Sequence, residues 1–115
     1  MRHHDSTKKF GRERKVRNGL MKSLALSLIT KGKIKTTDTK ARALRPYVEK
    51  MVTVGKKNTL AARRDLVAGV GVIAAERLVK DIAPKYIDRK GGYTRITKLP
   101  QRMSDGSFMA VIEFV

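Results

Sequence analysis

A chain of 115 residues allows one domain, and 27 lysines and arginines against 10 acidic residues leave a formal charge of +17 that opposes compaction unless a polyanion neutralises it. Nucleic acid is the first candidate, because phosphate contact also releases condensed counterions; a membrane surface is the rival, but it asks for a helix with a bulky, clean apolar face. The absence of cysteine excludes disulfides and cysteine-ligated zinc and fits a reducing compartment, and no apolar run approaches the roughly 20 residues of a membrane-spanning helix.

Residues 1–13, MRHHDSTKKFGRE, hold Phe10 as the one large apolar residue beyond Met1, and they show no periodicity. The polar start has no apolar h-region, so no secretory signal is expected. The segment is predicted to be a basic extension without a core of its own, ordered by a partner, with residues 14–115 as the single folded body. Its Arg2, Lys8, Lys9 and Arg12 suit contact with a polyanion better than a merely solvated tail.

From Arg14 to Thr30 the spacing predicts a helix, with Val16, Leu20, Leu24 and Leu28 on one face and Met21 and Ile29 beside it. Arg14, Lys15, Arg17 and Lys22 load its first half with charge. Gly19 weakens a helix by about 1 kcal/mol relative to Ala and is expected to mark a close packing contact. Lys31-Gly32 is a stop. Lys33–Thr37 reads as a short strand, after which Thr37 or Asp38 can cap a long helix. Ala41, Leu44, Val48, Met51 and Gly55 then share one face, while Lys40, Arg42, Arg45, Lys50 and Lys57 lie at other angles. Pro46 removes an N–H inside this helix and predicts a bend.

Asn58 or Thr59 can cap a third helix through Val67. The following GVG at residues 69–71 lacks the full phosphate-cradling GxGxxG and no strand leads into it, so it reads as a helix–helix connector. A fourth helix is predicted from Val72 to Ile82, burying Val72, Ala75, Leu78, Val79 and Ile82 and ended by Pro84. Asp88 to Gly92 is turn chemistry, Tyr93–Leu99 a strand, Arg102–Gly106 a loop and Ser107–Val115 a strand. That last strand is apolar on both faces and is expected to be buried on both. Together the elements predict an α/β chain of the α+β type, in two layers: a small three-stranded mixed sheet packed with about four helices.

The chemistry of catalysis is missing. The acids are scattered: Asp38, Asp65 and Asp81 read as caps or partners of nearby cations, and Glu49 and Glu76, each followed directly by a cation, as ordinary surface charges. An amino terminus with His3 could bind Cu²⁺ in a square plane, but His3 and His4 read more simply as polar contacts near phosphate or base edges. No metal, cofactor or small-molecule substrate is expected. Six phenylalanines and tyrosines with no tryptophan are too few for a base-stacking platform. Adjacent Arg63 and Arg64 point about 100° apart on a helix, so they can span two phosphates. Arg95 follows Tyr93 by two, leaving stacking, base contact and simple packing all open.

MRH at the start, IKTT before TKARALRPYVEKMVT, then AARR, APKY, RKGGYTRI and MAVIEFV resemble, in order, the bacterial large-ribosomal-subunit protein L-seventeen family over essentially the whole chain. MRH alone is unspecific; IKTT-x-x-KA with GGYTRI downstream is highly specific. The resemblance implies a cytoplasmic structural protein that binds ribosomal RNA near the polypeptide exit region, beside neighbouring large-subunit proteins. It implies a small sheet packed with helices and a basic amino-terminal extension lying in RNA. Its functional positions carry over to Arg2, His3, Arg12, Arg17, Arg63, Arg64, Gly91, Gly92, Tyr93, Thr94 and Arg95. Adding the other cations and the histidine of the first segments gives His4, Lys8, Lys9, Arg14, Lys15 and Lys22 as further candidate RNA contacts. The family commonly has Asn, Ser and His where this chain reads GRERKV at residues 11–16, and a cation where it has Asp5. The alternative from another class is a DNA-compacting nucleoid protein, which would ask for a groove-sized recognition helix or a dimer.

Deleting residues 1–11 should leave the helical circular-dichroism signal and the thermal transition of the body in place. A large loss of helix signal would put the extension in the core.

Overall fold

The computed structural model describes residues 9–115. Helix α1 spans Arg14–Lys31 and closes at Gly32, whose left-handed backbone (φ 79°) lets its N–H reach the Leu28 carbonyl at 2.7 Å. Strand β1, Lys33–Thr37, leads straight into helix α2, Asp38–Lys57. Of the two candidate caps it is Thr37 that works: extended at φ −69°, its side chain accepts from the Lys40 N–H, while Asp38 places its carboxylate in the positively polarised first turn. Helix α2 runs unbroken through Pro46, which sits on the exposed flank.

Helix α3, Leu60–Val70, is capped by Thr59, which accepts from the Ala62 N–H at 3.1 Å. Gly71 (φ 92°) then turns the chain into the short helix α4, Val72–Arg77, so the GVG segment is a connector. The helical path does not end at Pro84. It widens to a π turn at Leu78–Ile82, where the Ala83 N–H bonds the Leu78 carbonyl, and tightens to a 3₁₀ turn at Ala83–Tyr86. Proline is tolerated at the start of that turn because its missing N–H is not needed there. Strands β2, Thr94–Leu99, and β3, Met109–Phe114, complete the fold.

The α+β architecture follows the sequence, but the sheet is antiparallel throughout, not mixed, in the order β1-β3-β2. The connection at residues 100–108 makes β2 and β3 a hairpin, which fixes one pairing as antiparallel; β1 takes the other edge of β3 in the same sense. Ile34, Ile112 and Ile96 align across the three strands and join the core; helix α2 packs on this side, against all three strands. The opposite face is open. It carries Lys33, Glu113 and Arg95 in one row and Lys35, Val111 and Thr97 in the next. So the outer face of β3 is covered at one end only: Met109 is buried, whereas Val111 is half-buried, in register with Lys35 and Thr97, an arrangement an antiparallel sheet allows.

Three packing expectations change. Helix α1 buries Ala25, Leu28 and Ile29, whereas Val16 is 55% exposed, so its charged first half stands clear of the core. Gly19 is exposed, and a Cβ there would meet nothing within 4 Å. The close helix approach is at Gly69 instead, where a Cβ would come within 2.7 Å of Met51 Cε and where the Tyr47 hydroxyl donates to the Gly69 carbonyl at 3.2 Å. Finally, Val72 is exposed and Ala74 takes its place on the buried side of α4.

Leu44→Ala should lower stability by about 3 kcal/mol, because a fully buried α2 side chain leaves a cavity. Ile73→Ala, at 82% exposure, should stay within about 0.5 kcal/mol. Denaturant melts of both variants test which faces are buried.

Candidate nucleic-acid interface

Of the candidate contacts, Arg2, His3, His4 and Lys8 lie outside the described residues. The rest fall into three regions. The first is the start of α1. Lys9, Arg12, Arg14 and Lys15 are exposed, Arg17 is half-buried, and Lys22 is exposed further along. The Arg12 guanidinium donates to the Phe10 carbonyl at 2.8 Å, and that of Arg17 to the Arg12 carbonyl at 3.3 Å, so these two side chains shape the approach to the helix. Glu13 is the N-cap residue but its side chain makes no cap hydrogen bond, and no acidic residue follows it in the first turn. Cations at the positive end of a helix dipole are mutually unfavourable, and an anion brought there relieves both the dipole and the side chains. The second region is Arg63 and Arg64, exposed on α3 just after its cap.

The third region joins α2 to the segment before β2. Gly91 and Gly92 are exposed, and Gly92 adopts φ 65°, where glycine is unstrained. Tyr93 and Thr94 are 1% and 2% exposed, so their side chains offer almost no surface. The Tyr93 ring packs against Tyr86 at 5.2 Å between centroids; its hydroxyl donates to the Arg89 carbonyl and accepts from the Lys56 ammonium at 2.9 Å. Tyr86 in turn donates to the Val115 carbonyl at 2.6 Å. The Glu49 carboxylate, read from sequence as an ordinary surface charge, is engaged three times: by the Gly92 N–H at 3.1 Å, the Thr94 hydroxyl at 2.9 Å and the Arg45 guanidinium at 3.2 Å. Arg95 points to the open face, 60% exposed, and does not stack on Tyr93. Its Nε and one terminal nitrogen donate to one Glu113 oxygen at 3.1 and 2.8 Å. On the other side of β2, a groove of about 380 Å³ between α2 and β2 is lined by Asp38, Arg42, Arg45, Ile96 and Lys98.

The family model described as Ribosomal protein L17 matches residues 20–115. The chain belongs to this family. Large ribosomal subunit protein bL17 of Persephonella marina is 52% identical across all of this chain and 95% of its own length. The proteins of the same name from Sulfurimonas denitrificans and Fusobacterium nucleatum are 47% and 45% identical, each covering both chains in full. The matched stretch runs from Leu20, in the first half of α1, through β3.

Within this L17-family fold the sequence reading missed Lys33 and Lys35, which flank the open face although the alternation Lys-Ile-Lys already placed them together. It also missed Glu49 and Lys56, whose partners lie 33 to 45 residues away along the chain and leave no local signal. Among the described residues no group of acidic, histidine or cysteine side chains could hold a metal ion. No helix of the described residues is long and apolar enough to cross a membrane.

Two acids, Glu113 and Asp105, are shifted by their arginine partners. The Arg95 hydrogen bond holds the Glu113 carboxyl below its ordinary value, and the Arg102 guanidinium, helped by the Ser107 N–H, holds Asp105 well below the usual carboxylate range. Burial pushes the Tyr47 and Tyr86 hydroxyls up, and the Lys56 hydrogen bond brings Tyr93 down. A carboxyl depressed in the folded state contributes stability above its unfolded value, and that contribution disappears as pH falls through the folded value. The melting temperature should therefore drop below about pH 4. Glu113→Gln combined with Asp105→Asn should flatten that drop. Parallel melting curves against pH for the two proteins would show that these pairs carry none of it.

Proposed function

We propose that the protein is a structural constituent of the large ribosomal subunit that binds ribosomal RNA by neutralising phosphates and fitting RNA shape, without catalysis or cofactor, on cytoplasmic ribosomes. Membership of the L17 family supports the assignment, and so does one feature of the fold: the first turns of α1 project from the core with Arg14, Lys15 and Arg17, and no described carboxylate pairs with them. Cations clustered at a helix start repel one another, and a phosphate backbone resolves that repulsion. Residues 1–13 act as an extension threading between RNA elements, and residues 14–115 as the body that anchors at an RNA junction beside other large-subunit proteins.

Arg63, Arg64 and the row Lys33–Arg95 add phosphate contacts from the body. Gly91 and Gly92 bring backbone close to RNA, while Tyr93 and Thr94 support the segment from beneath. Arg95 keeps part of its guanidinium available beyond the Glu113 pair, and that carboxylate holds the planar fork in one orientation.

Titration of the protein against a large-subunit rRNA fragment should show affinity falling steeply with salt, by about 0.7 to 0.9 in log–log slope per neutralised phosphate. At one fixed salt concentration Arg95→Lys should bind more weakly than wild type, with Arg95→Ala weaker still and both melting as folded proteins. A nearly flat salt dependence overturns phosphate neutralisation, and unchanged affinity in both variants makes Arg95 a purely structural residue.

A further inference from the structure

We propose that Glu49 is the positioning residue of the Lys90–Arg95 segment, an acid set inside an RNA-binding surface in order to hold it. The proposal rests on the reading that this segment touches RNA. A carboxylate near a phosphate-binding surface repels the ligand. This chain has just 10 acids among 27 cations, so one placed here needs a physical reason.

The geometry supplies it. Glu49 projects from the middle of α2, and its two oxygens divide their work. Oε1 takes the Gly92 N–H, and Oε2 takes both the Thr94 hydroxyl and the Arg45 Nε–H. Gly92 is at the exposed bend and Thr94 is the first residue of β2, so one side chain ties the turn and the strand to the same helix. Lys56, nearly two turns further along α2, ties the other end of the turn by donating to the Arg89 carbonyl and to Tyr93. Two side chains of one helix thus fix the segment at both ends and leave Lys90, Gly91 and Gly92 facing outward. Arg45 is oriented by the same carboxylate, and it also lines the basic groove beside β2. Preorganisation of this kind raises affinity by raising the fraction of molecules already in the binding geometry.

Charge and position predict opposite signs for one substitution. Glu49→Gln removes a negative charge, so phosphate attraction alone demands tighter RNA binding. A glutamine side chain keeps a single acceptor oxygen and gains donors, so it cannot receive all three hydrogen bonds. If the positioned fraction drops to about a fifth, affinity falls about fivefold.

The experiment uses the full chain and protein-free large-subunit rRNA, at fixed salt and at a temperature where circular dichroism of each variant matches wild type. Glu49→Gln is expected to bind about fivefold more weakly, and the Gly92 amide of the free protein to lose hydrogen-exchange protection. Thr94→Val, which keeps shape and charge, is expected to weaken binding in the same direction and serves if the first variant does not fold. Equal or tighter binding by Glu49→Gln, or by Thr94→Val where that variant stands in, overturns the proposal, and so does an unchanged Gly92 amide. Lys90→Ala and Arg95→Ala separate the two levels. If neither weakens binding, the segment is not an RNA contact and the underlying reading fails; if they weaken it while Glu49→Gln does not, the positioning role alone fails.

Discussion

Helix α2 meets the sheet through Ala41, Leu44, Val48 and Val52, all withdrawn from water and clustered with Ala110 and Ile112 of the central strand. Each such burial removes apolar area at about 25 cal/mol per Å², and the helix touches every strand, so this contact organises the rest. Once the stripe faces the sheet, the flanks of α2 have no choice of direction. Arg42, Arg45 and Glu49 come to the β2 side, and Lys56 comes to the turn before it. The remaining helices pack around α2, with α1 and α3 both in contact with it.

Electrostatics is solved locally and left open elsewhere. Among the described residues the ion pairs are Asp38–Arg42, Glu49–Arg45, Glu113–Arg95 and Asp105–Arg102. They sit at the start and in the middle of α2, across a strand pair and in the hairpin loop. Exposed pairs contribute little stability individually, so their value here is orientation. None of them reaches α1 or α3, where the cations stay in water. The acids thus stiffen the parts that join elements, and the excess positive charge projects outward.

What was legible in the sequence was what is local or periodic. The stripe of α2 repeats at three and four residues, the threonines at 37 and 59 cap their helices, Lys31-Gly32 stops α1, and the IKTT and GGYTRI motifs carried the family. What was not legible needed distant partners. Glu49 acquires its role from Gly92 and Thr94, and nothing around residue 49 announces them. Gly19 and Gly69 look alike in sequence; whether a neighbouring helix arrives decides between them. The apolar pattern of β3 suggested cover on two sides, yet the fold supplies one helical layer, and Val111 shares the open face with Lys35 and Thr97. Of the candidate site, the exposed cations were readable by composition, whereas the burial of Tyr93 and Thr94 was not, because a strand motif does not state which side the helix will take.

The order β1-β3-β2 puts the last element in the middle of the sheet, with Lys33 opposite Glu113. As the chain is synthesised, β1 has no partner until nearly everything after it exists, and β2 waits for the same strand. The helices, whose contacts are shorter in range, can assemble first. Sheet closure then becomes a late, entropically expensive step. Until it happens, Ile34 and Ile96 belong to two separate strands rather than to one sheet, and every lysine and arginine is already in the chain before the closing strand exists.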